Sequence, residues 1–139
     1  DRGGSPQIYE IPVSGGEPKR LTFDGTYNTS PVYSPDGKYL ALVHGEGHTY
    51  RIGQYDRSSK QIGMLSNTRM GESPSFAPNG HMIIYTTYAA AGARGTTLAV
   101  IPVGTRGTSL AAISTDGSVK PLLVEGDVRE PAWGPFTTR

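Results

Sequence analysis

One short phrase, in which a proline-containing strand runs into a tight turn, occurs three times in this chain. The fullest copy is Ser30–Lys38, the second is Ser73–His81 and a shorter third is Glu130–Phe136. The prolines that open the first two copies lie 43 residues apart, and a period of about 40–45 residues is typical of one blade of a β-propeller. The repeat therefore predicts a series of similar small sheets rather than one continuous sheet.

Each repeat unit is predicted to contain four antiparallel strands, which we name a, b, c and d in chain order. In the first complete unit, Pro35–Gly37 has the residues of a hairpin turn and joins strand a to the apolar strand b, Tyr39–Val43. A second hairpin joins Arg51–Tyr55, strand c, to Ile62–Leu65, strand d. Similar c–d hairpins are predicted within residues 7–22 and 110–123. Short strands with regular turn signals and an internal repeat favour a propeller over a sandwich or a closed barrel.

The predicted fold is all-β, a partial β-propeller of four-stranded antiparallel blades with about three blade-equivalents in a single domain. Residues 1–24 are expected to form strands c and d of an incomplete blade, and residues 25–67 a complete one. Residues 68–124 form a blade with an insertion near 89–108, and residues 125–139 a terminal strand a. Because the chain starts in the middle of a blade, we expect it to be a fragment or a processed chain.

The insertion contains a local duplication, in which residues 94–101 resemble residues 106–113 at an offset of 12. Either copy fits the position of strand c, so the strand register is weakly specified here. The extra residues have two interpretations: an added hairpin or mobile loop, or a strand that pairs with another chain.

Composition argues against several functional classes. The chain has 13 basic and 12 acidic side chains, scattered along the sequence, which is not the footprint of a nucleic-acid-binding protein. It has no cysteine, which excludes a disulfide framework and a thiolate metal site. No apolar run approaches the roughly 18 residues of a membrane-spanning helix, so no membrane span is predicted. No nucleophile elbow or phosphate-binding loop occurs, so no catalytic residues and no cofactor are predicted.

Three residues of a metal-ligating type lie close together in the b–c connection of the first complete unit. His44, Glu46 and His48 alternate along the chain and would share one face of a strand. The segment is rich in glycine, however, and the remaining histidine, His81, lies far away in sequence. We interpret these residues as exposed loop polarity and predict no metal site.

The repeated phrase resembles the PD40, or WD40-like, propeller repeat, and the order of the segments resembles the C-terminal half of the TolB propeller. The residues that carry this resemblance are Gly4–Tyr9, Gly15–Thr22, Glu72–Gly80, Ser114–Gly117 and Pro131–Phe136. The resemblance covers nearly the whole chain except about residues 89–108. It implies a periplasmic, non-enzymatic protein of the Tol–Pal system, which maintains the outer membrane of Gram-negative bacteria. In that family a six-bladed propeller binds the peptidoglycan-associated lipoprotein Pal at one mouth of its channel.

The resemblance also implies where a partner binds. The polar segments that lead into each strand a border the channel mouth in the family, and an alternative role is only to hydrate the channel. Glu72 and Glu130 occupy nearly equivalent points, so a ring of carboxylates would attract a cation or a basic patch on a partner. The candidate residues are Asn28, Thr29, Ser30, Gly71, Glu72, Ser73, Arg129 and Glu130.

Two further hypotheses concern the wider molecule. The chain also fits a propeller segment of a prolyl-oligopeptidase-like peptidase with PD40 repeats, in which blades gate a hydrolase domain. Separately, three blade-equivalents per chain would allow a homodimer to close a six-bladed ring, because closure buries exposed sheet edges.

Overall fold

The computed structural model describes residues 4–66, 70–88 and 96–102, with Tyr88 and residues 96–102 described by their backbone alone. Every pairing between the strands of this part is antiparallel, and it contains no helix long and apolar enough to cross a membrane. The predicted all-β class is confirmed. The strands are β1 Tyr9–Glu10, β2 Lys19–Arg20, β3 Tyr27–Tyr33, β4 Tyr39–Glu46, β5 Thr49–Asp56, β6 Ile62–Met64, β7 Gly71–Phe76, β8 Met82–Tyr88 and β9 Thr96–Pro102.

The strands form three separate sheets. Strands β3 to β6 make one four-stranded sheet in chain order, which confirms the predicted a-b-c-d unit. Strands β1 and β2 form a two-stranded hairpin before it, and β7, β8 and β9 form a three-stranded sheet after it. The three sheets therefore follow each other in the order that the repeat predicts.

Local side-chain chemistry shapes the turn between strands a and b in both repeats. The Asp36 carboxylate accepts hydrogen bonds from the Ser34 hydroxyl, at 2.7 Å, and from the Lys38 amide, at 3.1 Å. Gly37 follows with φ 72°, a conformation that costs glycine little. Asn79 accepts from the His81 amide in the second repeat, and Gly80 has φ 74°. The predicted Pro-Asp/Asn-Gly turns are thus confirmed.

The strand next to β8 comes from the first of the two duplicated copies. Strand β9, Thr96–Pro102, lies within the stretch that the sequence assigned to an insertion, and it pairs with β8 along its whole length. Those seven residues therefore belong to the sheet. The second copy, residues 106–113, and the predicted c–d hairpin at 110–123 lie outside the described residues.

The core lies in two layers on opposite faces of the four-stranded sheet. Leu40 and Leu42 of β4 pack with Ile8 and Leu21 of the first hairpin. Ala41 and Val43, which alternate with them along the strand, belong to a second cluster that lies against β7 and β8, as the two-residue period of a strand requires. We call these contacts the first junction and the second junction. Other members of the second cluster are Ile52, Phe76, Ile83 and Tyr85.

One hydrogen-bonding arrangement recurs at both junctions. At the first junction, the Ile8 amide donates to the Thr22 hydroxyl at 3.0 Å and the Leu21 amide donates to the Ile8 carbonyl. At the second, the Ile52 amide donates to the Ser66 hydroxyl at 2.9 Å and the Leu65 amide donates to the Ile52 carbonyl. Ile8 and Leu21, like Ile52 and Leu65, lie 13 residues apart in the sequence, and this shared spacing reflects one backbone geometry used twice.

Candidate partner-binding site

A cavity of about 330 Å³ lies where the two strands of type a, β3 and β7, begin. We call it the strand-start cavity. Two of the segments that the sequence predicted as a binding surface meet here, one from each repeat. The lining residues are Tyr27, Thr29, Ser30, Val43, Tyr50, Met70, Glu72 and Ser73.

Two serines on the cavity wall share an unusual backbone conformation. Ser30 has φ 52° and Ser73, the equivalent residue 43 positions later, has φ 51°. Each lies in a break in strand register, between Thr29 and Val32 in β3 and between Glu72 and Ser75 in β7. A positive φ costs a non-glycine residue about 1–3 kcal/mol and is concentrated at functional sites. The bulge re-aims the side chains of both strands at the same point of the repeat.

These bulges also explain the prolines of the repeated phrase. Pro31 and Pro74 immediately follow the two serines, inside the bulged stretches. Strand β3 is moreover an edge strand of its sheet, so the missing proline amide interrupts no ladder between two neighbours.

A tyrosine pair forms the opposite wall of the cavity. The rings of Tyr27 and Tyr50 meet edge to face, with their centroids 5.1 Å apart and their planes at 82°. Gly45 makes this packing possible, because a Cβ there would lie 2.7 Å from the Tyr27 Cβ and 3.0 Å from the Tyr50 ring. Tyr50 also forms an isolated bridge with Met70, which ties β5 to the residue before β7. The aromatic wall is therefore fixed by close packing over Gly45 and by the bridge from Tyr50 to Met70.

Among the described residues, one charged side chain lines the strand-start cavity. Glu72 is exposed and forms no ion pair with any other described residue. Around it are the hydroxyl groups of Thr29, Ser30 and Ser73 and the two tyrosine rings. The cavity thus presents a carboxylate, hydroxyl groups and aromatic surface, a combination that suits a cationic or hydrogen-bond-donating group of a partner.

A buried amide holds the segment before the cavity in place. Asn28 is 1% exposed, and its Nδ2 donates to the Gln7 Oε1 at 2.9 Å and to the Asp24 carbonyl at 2.8 Å. Its Oδ1 lies 2.8 Å from the His44 Nδ1. Because both donors of the amide already have acceptors, Oδ1 must accept, and His44 carries its proton on Nδ1. This network joins the first hairpin, β3 and β4.

The structure divides the predicted binding residues into three groups. Thr29, Ser30, Glu72 and Ser73 meet in the strand-start cavity. Asn28 and Gly71 are buried, so they position their neighbours and do not reach solvent themselves. The third pair, Arg129 and Glu130, lies outside the described residues.

The histidines considered as metal ligands have other surroundings. His44 Nδ1 belongs to the Asn28 network, while Glu46 and His48 are exposed at the turn between β4 and β5. Within the described ranges, no group of three histidine or carboxylate side chains is placed to hold a metal ion.

Sequence reasoning missed the tyrosine pair and Met70. Tyr27 and Met70 are equivalent residues, 43 positions apart, and each precedes one of the predicted polar segments. Extending both segments by one residue toward the N-terminus would have found them. Tyr50 could not have been predicted in this way, because the pairing of β5 with β4, and not the repeat, brings it to the cavity.

The comparisons with known proteins agree with this architecture. The family model of the PD40 TolB beta propeller domain matches residues 1–137. The Tol-Pal system protein TolB of Xanthomonas campestris pv. campestris (strain B100) is 46% identical over 133 residues, which cover 93% of this chain and 27% of that protein. The protein of the same name from Xanthomonas oryzae pv. oryzae (strain PXO99A) is 46% identical over 132 residues, again 27% of its length. The chain thus spans about a quarter of the length of the curated relatives it matches.

Solved structures show the same similarity. The crystal structure of TolB from Acinetobacter baumannii superposes with a TM-score of 0.73 at 41% identity, covering 98% of this chain and 31% of that one. A putative TolB from Agrobacterium tumefaciens, at 22% identity and a TM-score of 0.57 over 75% of this chain and 39% of its own, shares the fold. The repeated blades, the equivalent junctions and these matches together show that the chain belongs to the TolB β-propeller domain family.

Proposed function

We propose that this chain is a non-enzymatic binding module of the Tol–Pal system, in the periplasm, and that its strand-start cavity contacts a Pal-like peptidoglycan-associated lipoprotein. The observation that carries the proposal is the meeting of two equivalent polar segments at one cavity. Thr29 and Ser30 come from one repeat, and Glu72 and Ser73 from the next. A surface built from the same position of successive blades suits a partner that sits across several blades.

The chemistry of the cavity supports binding of a protein partner. Its tyrosine pair offers rigid aromatic surface, and tyrosine is enriched among residues that dominate binding energy at interfaces. The strained serines are fixed by the bulges before any partner arrives, so little backbone ordering is needed on binding. Glu72 adds a charge that selects a basic group on the partner.

Calorimetric titration tests the proposal directly. The wild-type chain is titrated with Pal produced without its lipid anchor, alongside Glu72→Lys, Thr29→Glu and the control Glu17→Lys. Glu72→Lys reverses the charge at the cavity and should weaken binding by about tenfold or more. Thr29→Glu places a second carboxylate at the equivalent position and should strengthen binding. Glu17 is exposed in the turn between β1 and β2, so Glu17→Lys should leave the affinity unchanged.

Two outcomes contradict the proposal. No measurable heat with the wild-type chain would remove Pal as the partner. Equal affinity for wild type and Glu72→Lys, with Glu17→Lys weaker, would place the contact elsewhere on the chain.

Closure of a ring by two chains remains a prediction of the three blade-equivalents. It is tested by light scattering at high protein concentration, where the mass of a dimer is expected and the mass of a monomer would contradict it.

A further inference from the structure

A second concave surface lies at the opposite end of the strands from the strand-start cavity. It is a groove of about 890 Å³ between the first hairpin and the four-stranded sheet. The turn at Gly37 and Lys38 and the turn at Arg57 and Ser58 form one side of it. Its volume is at the upper end of the roughly 300–1,000 Å³ found for ligand-binding clefts. We call it the basic groove, for the charges described next.

Charge is concentrated in this groove, although the whole chain has a formal charge of only +1. In the part of the chain that the structure describes, five cationic side chains line it, against two carboxylates, Glu10 and Asp56. The cationic residues are Lys19, Arg20, Lys38, Arg57 and Lys60.

Both carboxylates of the basic groove are already engaged. Glu10 accepts from the Arg57 guanidinium at 2.6 Å and from the Tyr33 hydroxyl at 2.6 Å. Asp56 accepts from the backbone amide and the hydroxyl of Ser58, each at 2.7 Å.

Three cations of the groove form no ion pair with a described carboxylate, although Lys19 lies opposite Glu10 in the pairing of β1 with β2. Lys38 pairs with Asp36 at 3.8 Å, outside the lining. Lys19, Arg20 and Lys60 form no ion pair within the described ranges. Positive charges grouped in a cleft concentrate the electrostatic field there, so the groove attracts an anionic partner.

The floor of the basic groove is apolar and aromatic. Leu21, Tyr39 and Tyr55 line it. Phe23 stands at its edge with 71% of its surface exposed, and the Arg20 guanidinium lies 4.9 Å from the centroid of its ring. A cation stacked on an exposed aromatic ring can bind a carboxylate and an apolar side chain side by side. The basic groove therefore offers apolar and aromatic contacts as well as positive charge.

We propose that the basic groove binds an acidic segment of a partner protein whose carboxylates alternate with apolar or aromatic side chains. The carboxylates would pair with Lys19, Lys60 and the Arg20 guanidinium, while the apolar side chains would cover Leu21 and Phe23. A phosphate polymer or an anionic lipid surface satisfies the cations but leaves this floor uncovered. The observations favour a peptide for that reason.

Fluorescence anisotropy with a labelled peptide tests this proposal. The probe is a twelve-residue peptide of alternating glutamate and phenylalanine or leucine, and its counterpart carries lysine in place of glutamate. The double variant Lys19→Glu, Lys60→Glu reverses two exposed charges of the groove. The control Arg51→Glu reverses an exposed charge on β5 that does not line the groove.

We expect the acidic peptide to bind wild type and Arg51→Glu alike, and the double variant about tenfold more weakly or worse. The affinity should fall as salt is raised, and the lysine peptide should not bind. The variant Phe23→Ser, which keeps every charge, should also weaken binding because part of the apolar surface is lost. Circular dichroism of each variant shows whether it is folded.

Several results would overturn the proposal. One is equal binding of the acidic peptide to wild type and the double variant, and another is no binding to wild type at all. Sedimentation of the chain with phosphatidylglycerol vesicles that requires Lys19 and Lys60 but is indifferent to Phe23→Ser would assign the groove to a lipid surface instead. Self-association of the chain that the double variant abolishes would assign it to a second copy.

Discussion

The first and second junctions share a backbone plan but differ in what fills them. At both, an isoleucine amide donates a hydrogen bond to a hydroxyl group, that of Thr22 at the first junction and that of Ser66 at the second. At position 28, beside the first junction, the repeat has an asparagine whose buried amide joins Gln7 and His44. The equivalent position of the second repeat is a glycine, and no side chain is present to make such bonds.

This difference sets how closely the sheets approach. A Cβ on Gly71 would lie 3.1 Å from the Ile52 Cδ1 and Cγ1, so the second junction is closed by direct apolar contact. The first junction leaves room for a polar network and is held by directional hydrogen bonds. The same strand arrangement therefore allows neighbouring sheets to meet through a polar network or through direct apolar contact, provided that buried polar groups are hydrogen-bonded. The strand-start cavity lies beside the tighter junction, where the two strands of type a begin.

The largest effect is expected from removing the buried amide. Asn28→Ala deletes three side-chain hydrogen bonds and leaves His44 Nδ1 without its partner, so the free energy of unfolding should fall by about 3 kcal/mol. Urea denaturation measures this, with Gln61→Ala, an exposed amide of the turn before β6, as the control. A loss of less than about 1 kcal/mol would mean that the network does not hold the first junction.

The next effect probes the tight approach at the second junction. Gly71→Ala forces a methyl group against the fully buried Ile52 and should cost about 2 kcal/mol. Gly63→Ala is the matched control, because a Cβ at this exposed strand position meets no atom within 4 Å. If both substitutions left the denaturation midpoint unchanged, the sheets would not be in close contact at Gly71.

A smaller effect concerns equivalent positions in β4 and β8. Val43 and Thr86 occupy the same place in the repeat, but the buried Thr86 hydroxyl has no hydrogen-bond partner among the described residues. Thr86→Val should therefore raise the free energy of unfolding by about 1 kcal/mol, since an unpaired buried hydroxyl is removed at equal size. The reverse change, Val43→Thr, should destabilise the chain, and a thermal melt of both variants compares the two sheets directly.

The smallest effect is a dependence on pH that belongs to the first junction. The hydrogen bond from Tyr33 and the charge of Arg57 outweigh partial burial and hold the pKa of Glu10 below its usual range. The ionised carboxylate therefore stabilises the fold at neutral pH, and this contribution is lost as the pH falls through the lowered pKa. Glu10→Gln should cost about 0.5 kcal/mol at pH 7, and the cost should shrink as the pH falls below the usual range of a glutamate pKa. A cost that does not change with pH would contradict this explanation.

A feature of this structure could be predicted from the sequence when the residues that interact to form it lie close together along the chain. The turns at Pro35–Gly37 and Pro78–Gly80 were predictable, because Asp or Asn and Gly act within three residues of each other. The hairpin spacing of Ile8 and Leu21 was predictable for the same reason, since register follows from turn length.

Features that depend on tertiary register were not predictable. The amide network joins Gln7, Asn28 and His44, which are separated by at least 16 residues and meet only after three strands have paired. Pro31 and Pro74 are compatible with a bulge or with an edge strand, but no residue type signals the positive φ of Ser30 and Ser73, because serine is not favoured there. Of the candidate site, the polar segments could therefore be predicted, but their aromatic wall and strained backbone could not.

A two-dimensional amide NMR titration tests whether a partner binds where the strands of type a begin. The ¹⁵N-labelled chain is titrated with Pal lacking its lipid anchor, and every amide is followed. We expect the largest shifts at the amides of Thr29, Ser30, Glu72 and Ser73, while the amide signals of Lys19 and Lys60 in the basic groove stay in place. Shifts confined to the basic groove, or to the turns at its end of the strands, would contradict it.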